Sequence, residues 1–171
     1  MKLDIDLFRF FNFYSGAGGI FDYIFIFCAK YLPYAVILFI LLNIWRKGAK
    51  FLDLTIRTFL PAIIGQVFIV RIIKELVERP RPYTALTGVI ELINTNGYAF
   101  PSGHATFSFA LALSVFYWDK RLGCYTLFLA SLISMGRVVV GAHYPFDIVA
   151  GAFLGILLSY VANLWQPRLL R

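Results

Sequence analysis

The sequence predicts an all-α protein, a polytopic membrane helical bundle of five to six spans preceded by an amphipathic helix at the interface. Three observations carry this reading. The chain of 171 residues is 60% hydrophobic and only 15% charged, whereas a soluble domain has about 25% charged residues. Its mean hydropathy is +0.77. Several apolar runs approach the roughly 20 residues that cross a bilayer core of about 30 Å as a helix. The length suits a single domain over 1–171.

Residues 3 to 14 are apolar at Leu3, Ile5, Leu7, Phe8, Phe10, Phe11 and Tyr14, interleaved with Asp4, Asp6, Arg9 and Asn12. A stretch of that length is too short to span, and an amphipathic helix at the interface fits it. A shortened sixth span is the alternative. Ser15 to Gly19 reads as a glycine-rich turn. Ile20 to Trp45 is the first span, interrupted by Lys30 and Pro33, and too long and internal for a cleaved leader. Leu52 to Glu78, Ser102 to Trp118, Leu122 to Val140 and Pro145 to Trp165 follow as spans two to five. Cys28 and Cys124 fall inside spans, far from any metal-ligand spacing, and are expected to be buried thiols.

Basic residues between the spans set the orientation. Arg46, Lys47 and Lys50, then Lys120 and Arg121, then Arg168 and Arg171 all fall on one side of a five-span chain. The positive-inside rule makes that side cytoplasmic, and Trp45, Trp118 and Trp165 mark the same boundary. The net charge of +7 is thus mostly a topology signal, with no long basic run suited to nucleic acid.

Three stretches lie on the opposite, extracytoplasmic side. Lys74 stands near the end of span two, which should stop before Pro80 or Pro82, and Arg81 follows after six residues. Arg offers a planar fork for two phosphate oxygens and Lys a point charge. Taken alone, such cations at a span end read better as side chains that snorkel to lipid headgroups. Arg71 and Arg79 read as partners of Glu75 and Glu78. At the start of span three, Pro101 precedes Ser102, a good N-cap, and Gly103 lets the backbone approach a ligand. A helix start is an anion site, and His104 sits in its first turn. Arg137 ends span four, His143 follows six residues later, and Pro145 suits the first turn of span five. Asp147, four residues after His143, can accept the proton of one imidazole nitrogen and leave the other free to attack. Convergence of two histidines, a carboxylate and three cations on one membrane surface points to a functional site.

Lys74-x6-Arg81-Pro82, Pro101-Ser102-Gly103-His104 and Arg137-x5-His143-x3-Asp147 together resemble the three-part signature of the type 2 phosphatidic acid phosphatase superfamily. The motifs cover 74 to 147, roughly half of the chain. The resemblance implies a helical-bundle core and a phosphoryl transfer that needs no metal or other cofactor. It implies His143 as nucleophile, Asp147 as its orienting partner, and His104 as the acid for the leaving oxygen and later the base for water. It implies that Lys74, Arg81 and Arg137 hold the phosphate, helped by Ser102 and the backbone at Gly103. One departure is Gly136, where the family's third motif commonly has a serine before the arginine.

The compact length and Phe21-Asp22 resemble small bacterial members that act on undecaprenyl diphosphate, and the same type includes phosphatidylglycerophosphate and lipid A 1-phosphatases. The implied partners are a lipid phosphate substrate and membrane lipids, with neither nucleic acid nor an obligate protein partner. The implied place is a bacterial inner membrane, with the site on its outer side. The 83–100 connection is either a short amphipathic element that cradles the lipid or a purely structural loop. A lipid phosphoryl or headgroup transferase would use the same histidine. A transporter would need the charges to line a path through the bilayer, and here they cluster at one surface. A vanadate-dependent haloperoxidase would share the key residues but is soluble.

Overall fold

The computed structural model describes residues 2–13, 15–16 and 18–165, and among these there are helices, turns and loops but no strand. Tyr14, Arg168 and Arg171 lie outside the described residues. The elements are α1 Lys2–Asn12, α2 Ile20–Ile26, α3 Leu32–Trp45, α4 Phe51–Ile64, α5 Val70–Val77, α6 Pro82–Ala85, α7 Gly103–Trp118, α8 Lys120–Val139 and α9 Pro145–Trp165.

Among the described residues, four helical stretches are long and apolar enough to cross a membrane: Ile20–Trp45, Gly48–Ala85, Lys120–Val139 and Pro145–Trp165. With α7, of 16 residues, they reproduce the five expected runs. The first stretch stays continuous through Lys30 and Pro33 because a π turn, Phe27–Tyr31, joins α2 to α3 immediately before the proline. A widened turn absorbs the missing N–H and the ring that would otherwise break the ladder. A second π turn, Gly65–Ile69, joins α4 to α5. On the outer faces Leu38, Phe68, Phe128, Val149 and Leu164 stand exposed, as an apolar belt against lipid tails requires. Trp45, Trp118 and Trp165 end α3, α7 and α9, and Lys47 lies 5.8 Å from the Trp118 ring centroid.

α1 has 11 residues, fewer than the roughly 20 that cross a bilayer core as a helix. Its inner face carries Phe8, packed on Val138 and Tyr144, and leaves Leu3, Leu7 and Phe10 outside. The polar pattern is not the simple one that the sequence suggests. Asp4 and Asn12 are buried against the bundle rather than turned to water. Asn12 Nδ2 donates to the Val139 carbonyl at 2.9 Å, and the Ser15 hydroxyl donates to the same oxygen. The turn that follows is closed by Asp22, whose carboxylate accepts the Gly16 and Gly18 amides at 3.0 Å each. The two cysteines correct their expectation. Both lie inside helical runs, but Cys28 is half-buried and Cys124 is exposed, on a face where a small thiol can meet lipid as easily as protein.

α7 is the centre, packed on α9, α8 and α4. Its short length matters less than its surroundings, since most of its residues are buried in the bundle. The α7–α9 contact runs along small residues at four-residue spacing: Gly151, Gly155 and Ser159 face Thr106, Ala110 and Ser114. In lipid, helices gain little from burying apolar surface, so close backbone approach and polar contacts hold them together. A Cβ at Gly151 would stand 2.5 Å from the Ser102 carbonyl oxygen, and one at Gly155 would meet the Thr106 carbonyl and lie 2.9 Å from the Ala110 nitrogen. At the far end of the seam Ser114 and Ser159 share a hydrogen bond of 2.8 Å. Gly155→Leu should therefore separate the helices and cost about 1–3 kcal/mol or more. The thermal midpoint in detergent is expected to fall for Gly155→Leu but not for Phe153→Leu, whose side chain is 68% exposed on the other face of α9.

Candidate active site

The sequence breaks α5 where prolines demand it. Glu78 takes a left-handed conformation at φ 49 and closes the helix. Arg79 and Arg81 each precede a proline, and Pro82 opens α6. A residue before proline is driven to extended backbone, which carries Arg81 off the helix and into the bundle. Arg81 is 6% exposed. Its Nε donates to the Gly97 carbonyl at 2.8 Å, Nη2 to Asn96 at 2.9 Å and Nη1 to Ala142 at 2.8 Å. The Lys74 ammonium donates to the Tyr98 carbonyl. Loop 86–100 thus turns main-chain oxygens towards two cations. It does so while Leu86 and Val89 pack beside Phe8 and Tyr144, and Leu92 and Ile93 beside Ala29 and Val140. Beyond α6 the connection runs through turns and loop from 86 to 100. The segment is a packed loop that also lines the cavity.

The first turn of α7 carries the second group. Ser102 holds the N-cap position but makes no side-chain capping bond, which corrects the expected role of its hydroxyl. That oxygen is buried and has no hydrogen-bond partner among the described residues. The Ser102 amide instead donates to the Asp147 main-chain carbonyl at 3.0 Å. At Gly103 a Cβ would stand 2.6 Å from Gln66 Oε1, so absence of a side chain lets α7 begin against the π turn. His104 follows and faces the cavity.

The end of α8 and the start of α9 supply the rest. Arg137 is 5% exposed, and its Nε has no partner among the described residues. Gly141, at φ 84, makes the turn. The Ala142 and His143 amides both point back to the Arg137 carbonyl, at 3.1 and 3.3 Å. The His143 ring is 2% exposed, with Nε2 3.5 Å from Arg81 Nη1. Its Nδ1 is 3.7 Å from Asp147 Oδ2, too long for the hydrogen bond expected from the sequence. The carboxylate is otherwise engaged: Oδ2 accepts the Tyr144 amide at 2.8 Å and Oδ1 accepts Arg79 Nη1 at 2.5 Å.

Arg79 corrects a further expectation. It pairs not with Glu75 or Glu78 but with Asp147 and, through Nη2 at 2.6 Å, with Asp4. Pro80 turns it away from the α5 face that carries Glu75. That signal was legible in the sequence; a partner 75 residues upstream was not. The carbonyls of Asn96 and Gly97 also escaped the sequence reading, because main-chain acceptors leave no signature in residue types.

Lys74, Arg81, Gly103, His104, Arg137 and His143 thus share the wall of one cavity of about 710 Å³. Ser102 and Asp147 stand behind that wall. Burial holds the His143 imidazole well below its ordinary pKa, and the charges of Arg137, Arg81 and Lys74 push the same way, against a main-chain contact to Ala99 that favours the charged form. The ring is neutral at pH 7, with a lone pair to offer. Cations that stay charged, two imidazoles and a helix N-terminus can bind a tetrahedral oxyanion and exchange one of its ligands.

A family model described as PAP2 superfamily matches residues 55–171. The bacitracin transport permease protein BcrC of Bacillus licheniformis is 27% identical over 169 residues, covering 98% of this chain and 83% of that protein. The undecaprenyl-diphosphatase BcrC of Bacillus subtilis is 25% identical over 166 residues, covering 93% and 82%. The crystal structure of Aquifex aeolicus LpxE superposes with a TM-score of 0.79 at 24% identity, covering 95% of this chain and 96% of that one, which carries the fold.

The unpartnered guanidinium edge of Arg137 yields a direct test. Orthovanadate should bind the cavity, and Arg137→Gln should weaken it about 10- to 100-fold, the loss expected for one or two hydrogen bonds to a charged group. Titration calorimetry on purified protein in detergent measures this; equal affinities would place the anion elsewhere.

Proposed function

The chain belongs to the PAP2 superfamily, and from that premise we propose that it is an integral-membrane lipid phosphatase. It removes the terminal phosphate of a lipid phosphate or diphosphate through a phosphohistidine, without a metal. The observation that carries this reading is the placing of His143 and His104 on one cavity wall with Lys74, Arg81 and Arg137. In the first step the Nε2 lone pair of His143 attacks phosphorus, and the bond to the lipid oxygen breaks. His104 gives its proton to that oxygen. In the second step His104 takes a proton from water, the hydroxide attacks phosphorus, and the P–N bond breaks to release inorganic phosphate and neutral His143. Lys74, Arg81 and Arg137 hold the non-bridging oxygens as charge builds, which is most of what phosphoryl transfer asks of a protein. The start of α7 at Ser102 and Gly103 adds its dipole. Asp147, its Oδ2 3.7 Å from Nδ1, orients the imidazole and stabilises its charged form. The name of the B. subtilis relative favours a polyprenyl diphosphate among the lipid phosphates. The B. licheniformis relative is named a transport permease, but here the charges gather at one end of the bundle instead of following a path across it.

The test is release of inorganic phosphate by the purified chain, with EDTA present, from undecaprenyl diphosphate, phosphatidylglycerophosphate and lipid A. His143→Ala should abolish turnover. His104→Ala, given an activated aryl phosphate that leaves without a proton, should complete one turnover and stall with an acid-labile, base-stable phosphate on the protein. Activity lost in EDTA and restored by a divalent ion, or a His143→Ala variant of near-full activity, would overturn the mechanism.

The site faces away from the cytoplasm of a bacterial inner membrane on this reading. Arg46, Lys47, Lys50, Lys120 and Arg121 lie at the end of the bundle marked by the three tryptophans, and the positive-inside rule supports that assignment. A cysteine at Asn96 should react with an impermeant thiol reagent on intact cells, in a chain freed of Cys28 and Cys124, and one at Lys47 should not. The reverse labelling would invert the topology.

A further inference from the structure

We propose that Asp4 of the N-terminal helix and Arg79 are positioning residues for the phosphoryl transfer, tying α1 to the turn that carries His143. The inference rests on the phosphatase reading above and extends it to residues that the three motifs do not specify.

The geometry is a chain of three charged groups. Asp4 is 1% exposed. Its Oδ2 accepts Arg79 Nη2 at 2.6 Å, and its Oδ1 accepts the Phe146 amide at 2.9 Å. Arg79 Nη1 reaches Asp147 Oδ1 at 2.5 Å. The guanidinium carbon lies 4.0 Å from the ring centroid of Tyr144, the residue after His143. Asp147 Oδ2 takes the Tyr144 amide. Two carboxylates and one guanidinium thus fix the turn from 143 to 147 at two amides and one aromatic face. Asp4 does so from 142 residues away in sequence.

A role in folding alone leaves two features unexplained. A carboxylate is costly to bury beside another carboxylate unless a cation is shared between them. A neutral asparagine or serine could cap the first turn of α9 without that cost. What only the charge of Asp4 supplies is a second claim on Arg79. With Asp4 present, the guanidinium is divided between two carboxylates, and Asp147 keeps more of its negative charge for His143. Arg79 in turn holds Asp147 in the rotamer that leaves Oδ2 3.7 Å from His143 Nδ1. Charges facing His143 are Lys74 and Arg81 from the α5–α6 segment, His104 from α7, Arg137 from α8 and Asp147 from α9. Those facing Arg79 are Asp4 and Asp147, with Tyr144 beneath.

The consequence has a sign. Removing the Asp4 charge gives Arg79 wholly to Asp147 and makes an imidazolium at His143 harder to form. Removing the Arg79 charge does the opposite. The experiment compares wild type, Asp4→Asn, Asp4→Glu, Arg79→Gln and Arg79→Lys in detergent, with the lipid substrate on which the wild type proves most active. Each is checked for wild-type elution on gel filtration. Asp4→Asn and Arg79→Gln should each lower kcat on the order of tenfold, the scale of losses when a partner that orients a reactive group is removed, with KM within about twofold, since neither touches the phosphate. The acid limb of kcat should move to lower pH in Asp4→Asn and to higher pH in Arg79→Gln. Arg79→Lys and Asp4→Glu should recover part of kcat and restore the limb. Should Asp4→Asn fail to fold, the Arg79 pair carries the same test. An unchanged kcat in folded variants, a loss confined to KM, or limbs that move together would each overturn the proposal while leaving the phosphatase reading in place. A wild type that releases no phosphate from any lipid phosphate would overturn both.

Discussion

Mutual repulsion of Lys74, Arg81 and Arg137 around one cavity is the constraint that the rest of the structure answers. Three fixed charges at the end of a membrane bundle, two of them almost fully buried, would drive the helix ends apart if nothing stood between them. The fold answers with main-chain dipoles. Arg81 is held by three carbonyls and Lys74 by a fourth, and three of the four come from the loop before α7. Carbonyls partly offset a cation without neutralising it, so the charges remain available to an anion. Carboxylates in the same places would have neutralised the site. The only carboxylate brought close to His143 among the described residues, Asp147, is itself shared with Arg79 and with an amide.

The same constraint explains why the connections on this face are built differently from those on the other. Opposite the site, Gly48–Lys50 and Asp119 make short turns, with Asp119 capping α8 through the Leu122 amide at 2.9 Å. On the site face the link from α6 to α7 is long, and its apolar residues are spent on packing. Leu86 and Val89 go to the α1 side, Leu92 and Ile93 to the α2 side. A loop pinned at both flanks can keep Asn96, Gly97 and Tyr98 aimed at the cations. Preorganised dipoles of this kind cost no reorientation when charge develops, which is what makes them useful in phosphoryl transfer.

Much of this was legible in the residues. The five apolar runs, the tryptophan boundary and the three cation-bearing stretches follow from composition and spacing, because helices that meet lipid must be apolar and cations that stay at a membrane end need a reason. Six of the eight site residues read from the sequence do line one cavity. What could not be read is the direction of side chains that depend on distant main chain. Arg79 looks like a neighbour of Glu75 and Glu78 until Pro80 and Asp4 are placed. Asp147 looks like a hydrogen-bond partner of His143 until the Tyr144 amide takes the oxygen. Asp4 and Asn12 look like the wet side of an interfacial helix, since a polar residue in an amphipathic pattern carries no mark of whether water or a carbonyl will satisfy it.

The α7–α9 seam joins these observations to function. His104 rides on the first turn of α7, and Asp147, with the turn holding His143, belongs to the start of α9. The two turns are tied by one main-chain bond, Ser102 N–H to Asp147 C=O at 3.0 Å. That bond forms only if the backbones approach closely, and Gly151, one turn beyond Asp147, allows it, since its Cβ would strike the Ser102 carbonyl. Lipid supplies little force to press two helices together. Precision between the two histidines therefore comes from small residues along the seam, with Gly155 and the Ser114–Ser159 pair holding the angle further down. The glycines of α9 are thus part of the site's geometry although they lie outside the three motifs.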